Sequence, residues 1–559
     1  MPSVPWRNRR AGIGVPSNLN AAMLGKPFIY FTLFCIACVV LGLYFFRLAT
    51  TNTISTDAAS NVLYAADIAH GNWLLRGWTL PEDPYWFTNV MVYVAGVAVH
   101  GMTPGLVYVV PVMACVALLF VLAAAATIGL RLGPGAPFVA VLPTLPFLFP
   151  SSSMVTTVLV GPFHTGTTLV ALVSMIMLYR VSQMRHPTRV RWLLTAGAFV
   201  LLTASEISDP YTTVIAVAPV AAVSLAWFLR DRSTERWRHL LPLLAVVAAW
   251  YGGYDTILLV RQLGGATIIP FGRATISFSQ FGQSLSNLGL ALLDLAGGNI
   301  FGQTINADLI PVVLRLCYLV AAALFTVRAL RDTAQAFVRG SLPEDWLTAV
   351  LATSGAVALI GNVLGTANYD VAMRLPLFII MGVVLARNVG SEISVWIPDR
   401  RTVATVIGVL LILLYAGPAG HFLRHGNLYE DSASPLGQWL MAHRLTYGYG
   451  DYSSATMVTL ETRGAVQIRA VVSTKVAQPG LGPSGAPSAQ WRLRPYNWMS
   501  KDTWYQHPAR FLVVNPNAGY DRDLGLTKDT AVRTFGQPDH VYENVDSFTV
   551  LVWDRPMHF

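Results

Sequence analysis

Charge is what this sequence has least of. Only 12% of its 559 residues are Asp, Glu, Lys or Arg, and 54% are hydrophobic, where an ordinary soluble domain carries roughly 25% charged residues. A soluble globular enzyme is thereby excluded. Cysteine is scarce as well: Cys35, Cys38, Cys115 and Cys317 all lie in apolar segments, so the C-terminal region has no disulfide framework. Cys35 and Cys38 form a C-x-x-C, but on an apolar stretch without His or further Cys partners they read as packing residues, not redox or metal ligands. No G-x-x-x-x-G-K-[ST] sequence occurs, which leaves an ATP-driven transporter in one chain unsupported. Internal repeats are lacking too. No small-residue cleavage site promptly follows the first apolar run, so that run reads as an anchor and not a removable signal.

Apolar runs free of charge are what the sequence has instead. They recur from Lys26 to about Gly420, each near the ~20 residues that cross a bilayer as a helix. The pattern predicts a polytopic α-helical membrane protein with about eleven transmembrane helices, near residues 27–48, 105–129, 134–150, 163–180, 193–208, 211–229, 240–260, 308–328, 346–365, 374–388 and 402–418. Pro134, Pro143, Pro146, Pro150 and Pro210 interrupt or end several of these runs, which implies tilted, half-inserted or paired segments. The formal net charge of +9 invites a nucleic-acid reading, but the basic residues cluster at alternate span ends. Arg180, Arg189, Arg191, Arg230, Arg236 and Arg238 fall on one side, whereas the other holds Arg76, Arg261, Arg273 and Arg374. The positive-inside rule then puts the N-terminus in the cytoplasm, an odd number of spans puts the tail outside, and no nucleic acid is expected.

Three regions follow: a cytoplasmic segment 1–26, a transmembrane unit 27–420 and an extracytoplasmic α/β domain 421–559. Within the transmembrane unit two outer connections are long, 49–104 and 264–306. Each has helical periodicity of its own (Ala58, Val62, Leu63 and Ala66; Leu285, Leu288, Leu292 and Leu293), which predicts helices lying at the outer interface. In the tail, strand-like runs at 466–472, 511–514 and 548–553 accompany a helix-like stretch at 526–535.

Polar residues gather at the predicted outer ends. Asp57 begins a helical run just beyond the first span, where its carboxylate either caps that helix or serves as a general base at headgroup level. Glu82 and Asp83 precede Pro84, as a solvated turn or as site residues. Trp73, Trp78, Tyr85, Trp86 and Phe87 suit both sugar stacking and an interfacial belt. His164 opens the fourth span, Glu206 and Asp209 form a tight outer turn, and Asp370 and Arg374 open the tenth span. Ionisable groups at this depth are costly. Arg374 either pairs with Asp370 one turn away or offers its fixed fork of donors to a lipid-linked phosphate.

An Asp just after the first span, a long first outer loop, a basic residue at a late outer helix end and a terminal outer α/β domain together resemble the GT-C superfamily of integral-membrane glycosyltransferases. Residues 71–80 (GNWLLRGWTL), 368–374 (NYDVAMR) and 446–452 (TYGYGDY) look like those of bacterial relatives of that superfamily. The resemblance implies a sugar donor carried on polyprenyl phosphate, used outside the cytoplasm. It makes Asp57 the general base and Arg374 the holder of the donor phosphate, with Glu82, Asp83, His164, Asp209 and Asp370 binding or orienting substrate. Tyr447 and Tyr449 would be aromatic platforms for an acceptor glycan, or packing residues of the domain. Many relatives carry adjacent acids after the first helix; here Ala58 and Ala59 follow Asp57, which leaves a divalent metal an open question and no cofactor assigned. The expectation is a glycosyltransferase of the bacterial inner membrane acting on a glycan, lipid or protein. A lipid or polysaccharide transporter (flippase) and a non-catalytic membrane scaffold are the alternatives. All of it requires Asp57 and Arg374 to converge on one lipid-accessible hollow.

Overall fold

The computed structural model describes residues 20–130, 132, 136–161, 163–184, 186–231, 236–270, 275–339, 345–365, 368–396, 433–481, 487–515 and 526–559. Among them nine helices are long and apolar enough to cross a membrane: Phe31–Ala49, Leu106–Thr127, Thr165–Gln183, Arg189–Ser208, Thr213–Arg230, Arg236–Gln262, Leu309–Arg339, Trp346–Gly365 and Ala372–Glu392. Each falls on a span the sequence predicts, and the chain is a polytopic helical membrane protein. The run at 134–150 is instead a bent pair, Ala136–Leu148 and Ser152–Val160, meeting at 91°. Pro143 and Pro146 sit inside its first arm and Pro150 between the arms, where prolines remove helix N–H donors. The expected span at 402–418 lies outside the described residues, so the described spans number nine, or ten with the bent pair.

The spans pack around one apolar core that includes Phe45, Leu119, Leu202, Trp346 and Phe378. Ala372–Glu392 is the most enclosed helix, and Phe31–Ala49 presents Phe31, Leu33 and Leu43 outward, as a lipid-facing helix does. Towards the end of that enclosed helix Arg387, 1% exposed, is fully engaged. It donates to Thr348 Oγ1 at 2.8 Å, to the carbonyls of Ala125 at 2.5 Å and Ile128 at 3.1 Å, and to Asp345.

The C-terminal domain carries a six-stranded sheet in the order β5-β4-β3-β7-β9-β8, built from β3 (Tyr447–Gly450), β4 (Gln467–Leu481), β5 (Pro487–Pro495), β7 (Ala509–Val514), β8 (His540–Val545) and β9 (Phe548–Met557). The central strand β3 runs parallel to both β4 and β7, and the remaining pairs are antiparallel. Gly448 on β3 faces the Phe511 ring, which a Cβ there would meet at 2.5 Å, so glycine permits this close layer. A second, small sheet ties the regions together. In it β1 (Trp78–Leu80) of the first connection pairs with β2 (Thr267–Ile268) of the second and with β6 (Ser500–Lys501) of the domain.

The long connections depart from expectation in one respect. The helix Thr56–Ala69 does not lie free at an interface; Ala58, Ala59, Ser60, Val62, Leu63 and Ile68 are buried, because the helix is packed between Met91–His100 and the domain helix Tyr452–Glu461. Phe281–Ala296 in the second connection is amphipathic as read, burying Ser284, Leu288, Ala291 and Leu295 while exposing Phe281 and Leu285.

Removing one partner of a buried ion pair leaves the other charge uncompensated. Asp345→Ala is therefore expected to destabilise the bundle by about 3 kcal/mol, at the low end for such pairs because the Asp345 side chain is 26% exposed. Thermal unfolding in detergent checks this; an unchanged midpoint would mean the carbonyls alone satisfy Arg387.

Candidate active site

Arg374 ends the turn Ala372–Arg374 that leads into the helix Leu375–Trp396, at the bundle face that carries the C-terminal domain. Asp370 Oδ1 accepts from the backbone N–H of Ala372 at 2.9 Å and of Met373 at 3.3 Å. The carboxylate thus caps the helix entrance, and this replaces the Asp370–Arg374 pairing that the i, i+4 spacing suggested. Arg374 itself is 0% exposed. Its Nη2 donates to the Asn368 carbonyl at 3.2 Å, while Nε and Nη1 are buried with no hydrogen-bond partner. Buried donors left unpaired are rare and costly, about 1–3 kcal/mol each and more for a charged group. An anion is the partner such a fork lacks.

Beside it stands a buried ion pair. His164, in the left-handed region at φ 50°, places Nδ1 2.6 Å from Asp209 Oδ2. Thr167 donates to the same oxygen at 2.8 Å and the Tyr211 N–H to Oδ1 at 3.0 Å. His164 Nε2 lies 3.0 Å from Met373 Sδ, so the ring touches the residue next to Arg374. Burial alone would lower the His164 pKa and raise that of Asp209; their mutual attraction outweighs it in both, holding His164 above and Asp209 below the ordinary values. Gly166 makes room for the first connection here, since a Cβ would come 2.2 Å from Asn89 Oδ1.

That connection brings Asp83 and Tyr85. Tyr85, also left-handed at φ 49°, donates its N–H to the Ser208 carbonyl at 2.9 Å and its hydroxyl to Asp83 Oδ2 at 2.8 Å. Its ring meets His164 edge-on at 5.9 Å. Burial and then the charge of Asp209 push the Asp83 carboxyl up to about 6, against the opposing pull of His164 and the Tyr85 bond. Glu82 is part-buried on the same turn.

Asp57 is the second residue of the helix Thr56–Ala69, and Ser55 occupies the capping position, so Asp57 is not the cap. Its Oδ1 accepts the hydroxyl of Tyr452 at 2.9 Å. Burial raises the Asp57 pKa, and the Tyr452 bond lowers it only in part. Asp57 and Arg374 are joined through shared neighbours. Tyr85 feels the charges of Asp83, Asp209 and Asp57, His164 those of Asp209, Asp83 and Asp370, and Tyr211 those of Asp209, Arg374 and Asp370. The geometric link between the two sides is His164, whose ring meets Tyr85 at 5.9 Å and Tyr211 at 5.2 Å.

The two tyrosines singled out in the tail do not join this site. Tyr449 is wholly buried in the domain core against Tyr505, Phe535 and Phe559, which overturns a platform role. Tyr447 donates to the Trp504 carbonyl and receives Arg469 over its ring at 5.6 Å. The member of that motif at the site is Tyr452, which its spacing does not single out; Tyr85, read as a stacking or belt residue, and Tyr211 lie beside His164. Among the described residues, no three His, Cys, Asp or Glu side chains gather as a metal site.

Fold and site together define a multi-spanning membrane protein whose terminal domain reaches the site residues through the Tyr452–Asp57 bond. The chain is similar in structure to ArnT from Cupriavidus metallidurans bound to undecaprenyl phosphate, with a TM-score of 0.50 at 12% sequence identity over 93% of this chain and 97% of that one. It is also similar, at a TM-score of 0.46 and 11% identity over 92% and 73%, to the Archaeoglobus fulgidus oligosaccharyltransferase in complex with Zn and sulfate. No family model and no curated protein matches the chain. The likeness to ArnT, running nearly the full length of both chains, gives this protein the GT-C fold that its sequence resembles.

The His164–Asp209 pair makes stability depend on pH. The contribution of His164, its pKa raised on folding, is fully present below its unfolded value and is lost as pH rises through the folded one; that of Asp209, lowered, is lost as pH falls through its folded value. Asp209→Asn is thus expected to cost most stability at mildly acidic pH, between the ordinary carboxylate and imidazole values, with the gap to wild type narrowing in alkali. Unfolding midpoints across a pH series measure it, and a gap constant into alkali would contradict a charged pair.

Proposed function

We propose that this protein transfers a sugar from a polyprenyl-phosphate-linked donor to a hydroxyl acceptor, working at the extracytoplasmic face of a bacterial inner membrane, which is the face that bears the C-terminal domain. The observation that carries the reading is the buried Arg374 guanidinium with two nitrogens unpaired. A phosphate on an apolar chain supplies what it lacks: an anion able to accept a bidentate fork, delivered from the bilayer. The similar ArnT structure holds undecaprenyl phosphate, a ligand of that chemical class.

In the proposed reaction Asp57 takes the proton of the acceptor hydroxyl as its oxygen attacks the anomeric carbon. The bond from that carbon to the phosphate oxygen breaks, and the leaving polyprenyl phosphate carries its developing charge onto Arg374. A base near the bilayer surface benefits from burial, which raises its proton affinity without removing it from water altogether. His164, held charged by Asp209, offsets that carboxylate so that it does not repel the phosphate. The acceptor is a glycan, lipid or protein presented at the same face, and no nucleotide is required. A conduction route is not favoured, because among the described residues the buried charges of the spans sit near helix ends: Glu206 and Arg374 at one face, Arg191 and Arg387 towards the other.

Purified protein assayed against a panel of polyprenyl-phosphate sugars tests the assignment. Asp57→Asn is expected to lower turnover by about a hundredfold or more with unchanged thermal stability. Arg374→Met should abolish donor binding and leave the apo protein as stable as wild type or more so, since a buried cation with a single carbonyl partner opposes folding. Full turnover in the first variant, or full donor binding in the second, sinks the proposal.

A further inference from the structure

We propose that the C-terminal domain completes the active site, with Tyr452 as the residue that positions Asp57, so that transfer proceeds only while the domain is docked on the helix Thr56–Ala69. This rests on Asp57 being the base. A phenol has one proton to give, and the carboxylate is the stronger acceptor within reach: Tyr452 donates to Asp57 Oδ1 at 2.9 Å. The same phenol oxygen lies 3.0 Å from Ser60 Oγ. Ser60 then donates to Tyr452, and the order Ser60, Tyr452, Asp57 is a directed chain. Asp57 and Ser60 are three residues apart, hence on one face of the helix, and Ser60 is fully buried. A single oxygen from another domain thus grips the helix at two neighbouring points.

The grip has a counterpart at the other end of the same helix. Lys501 of the domain reaches Asp67 at 3.0 Å, and Asp67 also accepts from Trp78 at 2.7 Å and Asn72 at 2.6 Å. Burial would raise the Asp67 pKa, but these three donors overcome it and hold the carboxylate ionised. Ten residues of helix separate Asp57 from Asp67, about 15 Å at 1.5 Å per residue. Strand β6 pairs with β1 on the same side and Trp504 packs edge-on against Trp78 at 4.9 Å. The helix that carries the base is therefore clamped by the domain near both termini.

Two consequences follow for the carboxylate. Its rotation is fixed with Oδ1 turned to Tyr452, and Oδ2, which makes no hydrogen bond to the described residues, is the oxygen left to receive a proton. The Tyr452 bond also tempers the basicity that burial confers. Because Tyr452 acts through Asp57 and not on the donor, its removal should leave donor affinity alone.

The experiment uses the full-length protein with a donor sugar that wild type turns over. Tyr452→Phe removes one oxygen; losing a hydrogen bond to a charged group is expected to lower kcat about 10–100-fold, with the donor KM unchanged. Without that bond the Asp57 pKa rises, so the acid limb of the pH profile of kcat moves to higher pH, a shift that loosened packing would not produce. Lys501→Met, at the far end of the clamp, should lower kcat in the same direction at unchanged donor KM. Wild-type kcat and an unmoved acid limb in Tyr452→Phe, while Asp57→Asn is inactive, overturn the inference and leave the base assignment standing. Activity in Asp57→Asn overturns the base assignment itself. If Tyr452→Phe lowers the unfolding midpoint, Lys501→Met decides, and wild-type kcat there overturns the domain requirement.

Discussion

A guanidinium removed from water must be repaid in acceptors or in an anion, and the site depends on one that has received neither in full. The enclosed span Ala372–Glu392 meets this constraint in two opposite ways. Arg387 has a carboxylate, a hydroxyl and two carbonyls around it, so every face of its fork is used and its role is to lock three helices. Arg374, on the same helix and as deeply buried, has one carbonyl. Residue type, helix and burial are shared; only the supply of acceptors differs. Asp370, the carboxylate nearest in sequence, turns to the backbone of Ala372 and Met373, and that choice is what keeps the fork open.

Asp57, Asp83 and Asp209 share this face with other carboxylates, and the charge of Asp209 works against ionisation of Asp83. The His164 imidazole relieves the conflict. By pairing with Asp209 it cancels one negative charge locally, and by lying against Met373 it keeps that compensation close to Arg374. Asp83, without such a partner, answers with a raised pKa. The cluster is thus sorted into groups with distinct surroundings: a charged pair at the centre, a carboxyl with a raised pKa, a cap on the backbone, and an acid with one oxygen bonded to Tyr452. Such sorting of neighbouring titratable groups is what an acid–base site requires.

The broad architecture was legible because a membrane enforces it: uncharged runs of the right length can do little else, and nine of them became helices where the hydropathy put them. Arg374 and Asp57 were legible for the converse reason, since ionisable residues at span ends stand out against an apolar background. What could not be read were facts decided by a single position or by contact across the chain. Asp57 differs from a helix cap by two residues, and spacing alone does not resolve N-cap from first turn. Tyr447, Tyr449 and Tyr452 look alike in the string YGYGDY, yet strand β3 sends Tyr449 into the domain core, and Asp451, capping the next helix through the Ser454 N–H at 2.8 Å, starts the turn that delivers Tyr452 to Asp57. The burial of Thr56–Ala69 was hidden in the same way, because the surface that covers it comes from the far end of the chain.

This long-range dependence shapes how the site is made. The guanidinium and the His164–Asp209 pair sit where helices enter or leave the bundle, with Tyr85 of the first connection against His164 and none of the contacts described there coming from the C-terminal domain. The helix of Asp57 is different: its length between Asp57 and Asp67 is held from above by Tyr452 and Lys501, and laterally by the three-stranded seam in which β1 joins β2 and β6. Without the domain in place the chain would keep the Arg374 fork and lose the Tyr452 and Lys501 contacts to the helix of Asp57. In the proposed reaction, donor binding at Arg374 can precede competence, while transfer waits for the domain to settle on the helix that carries Asp57.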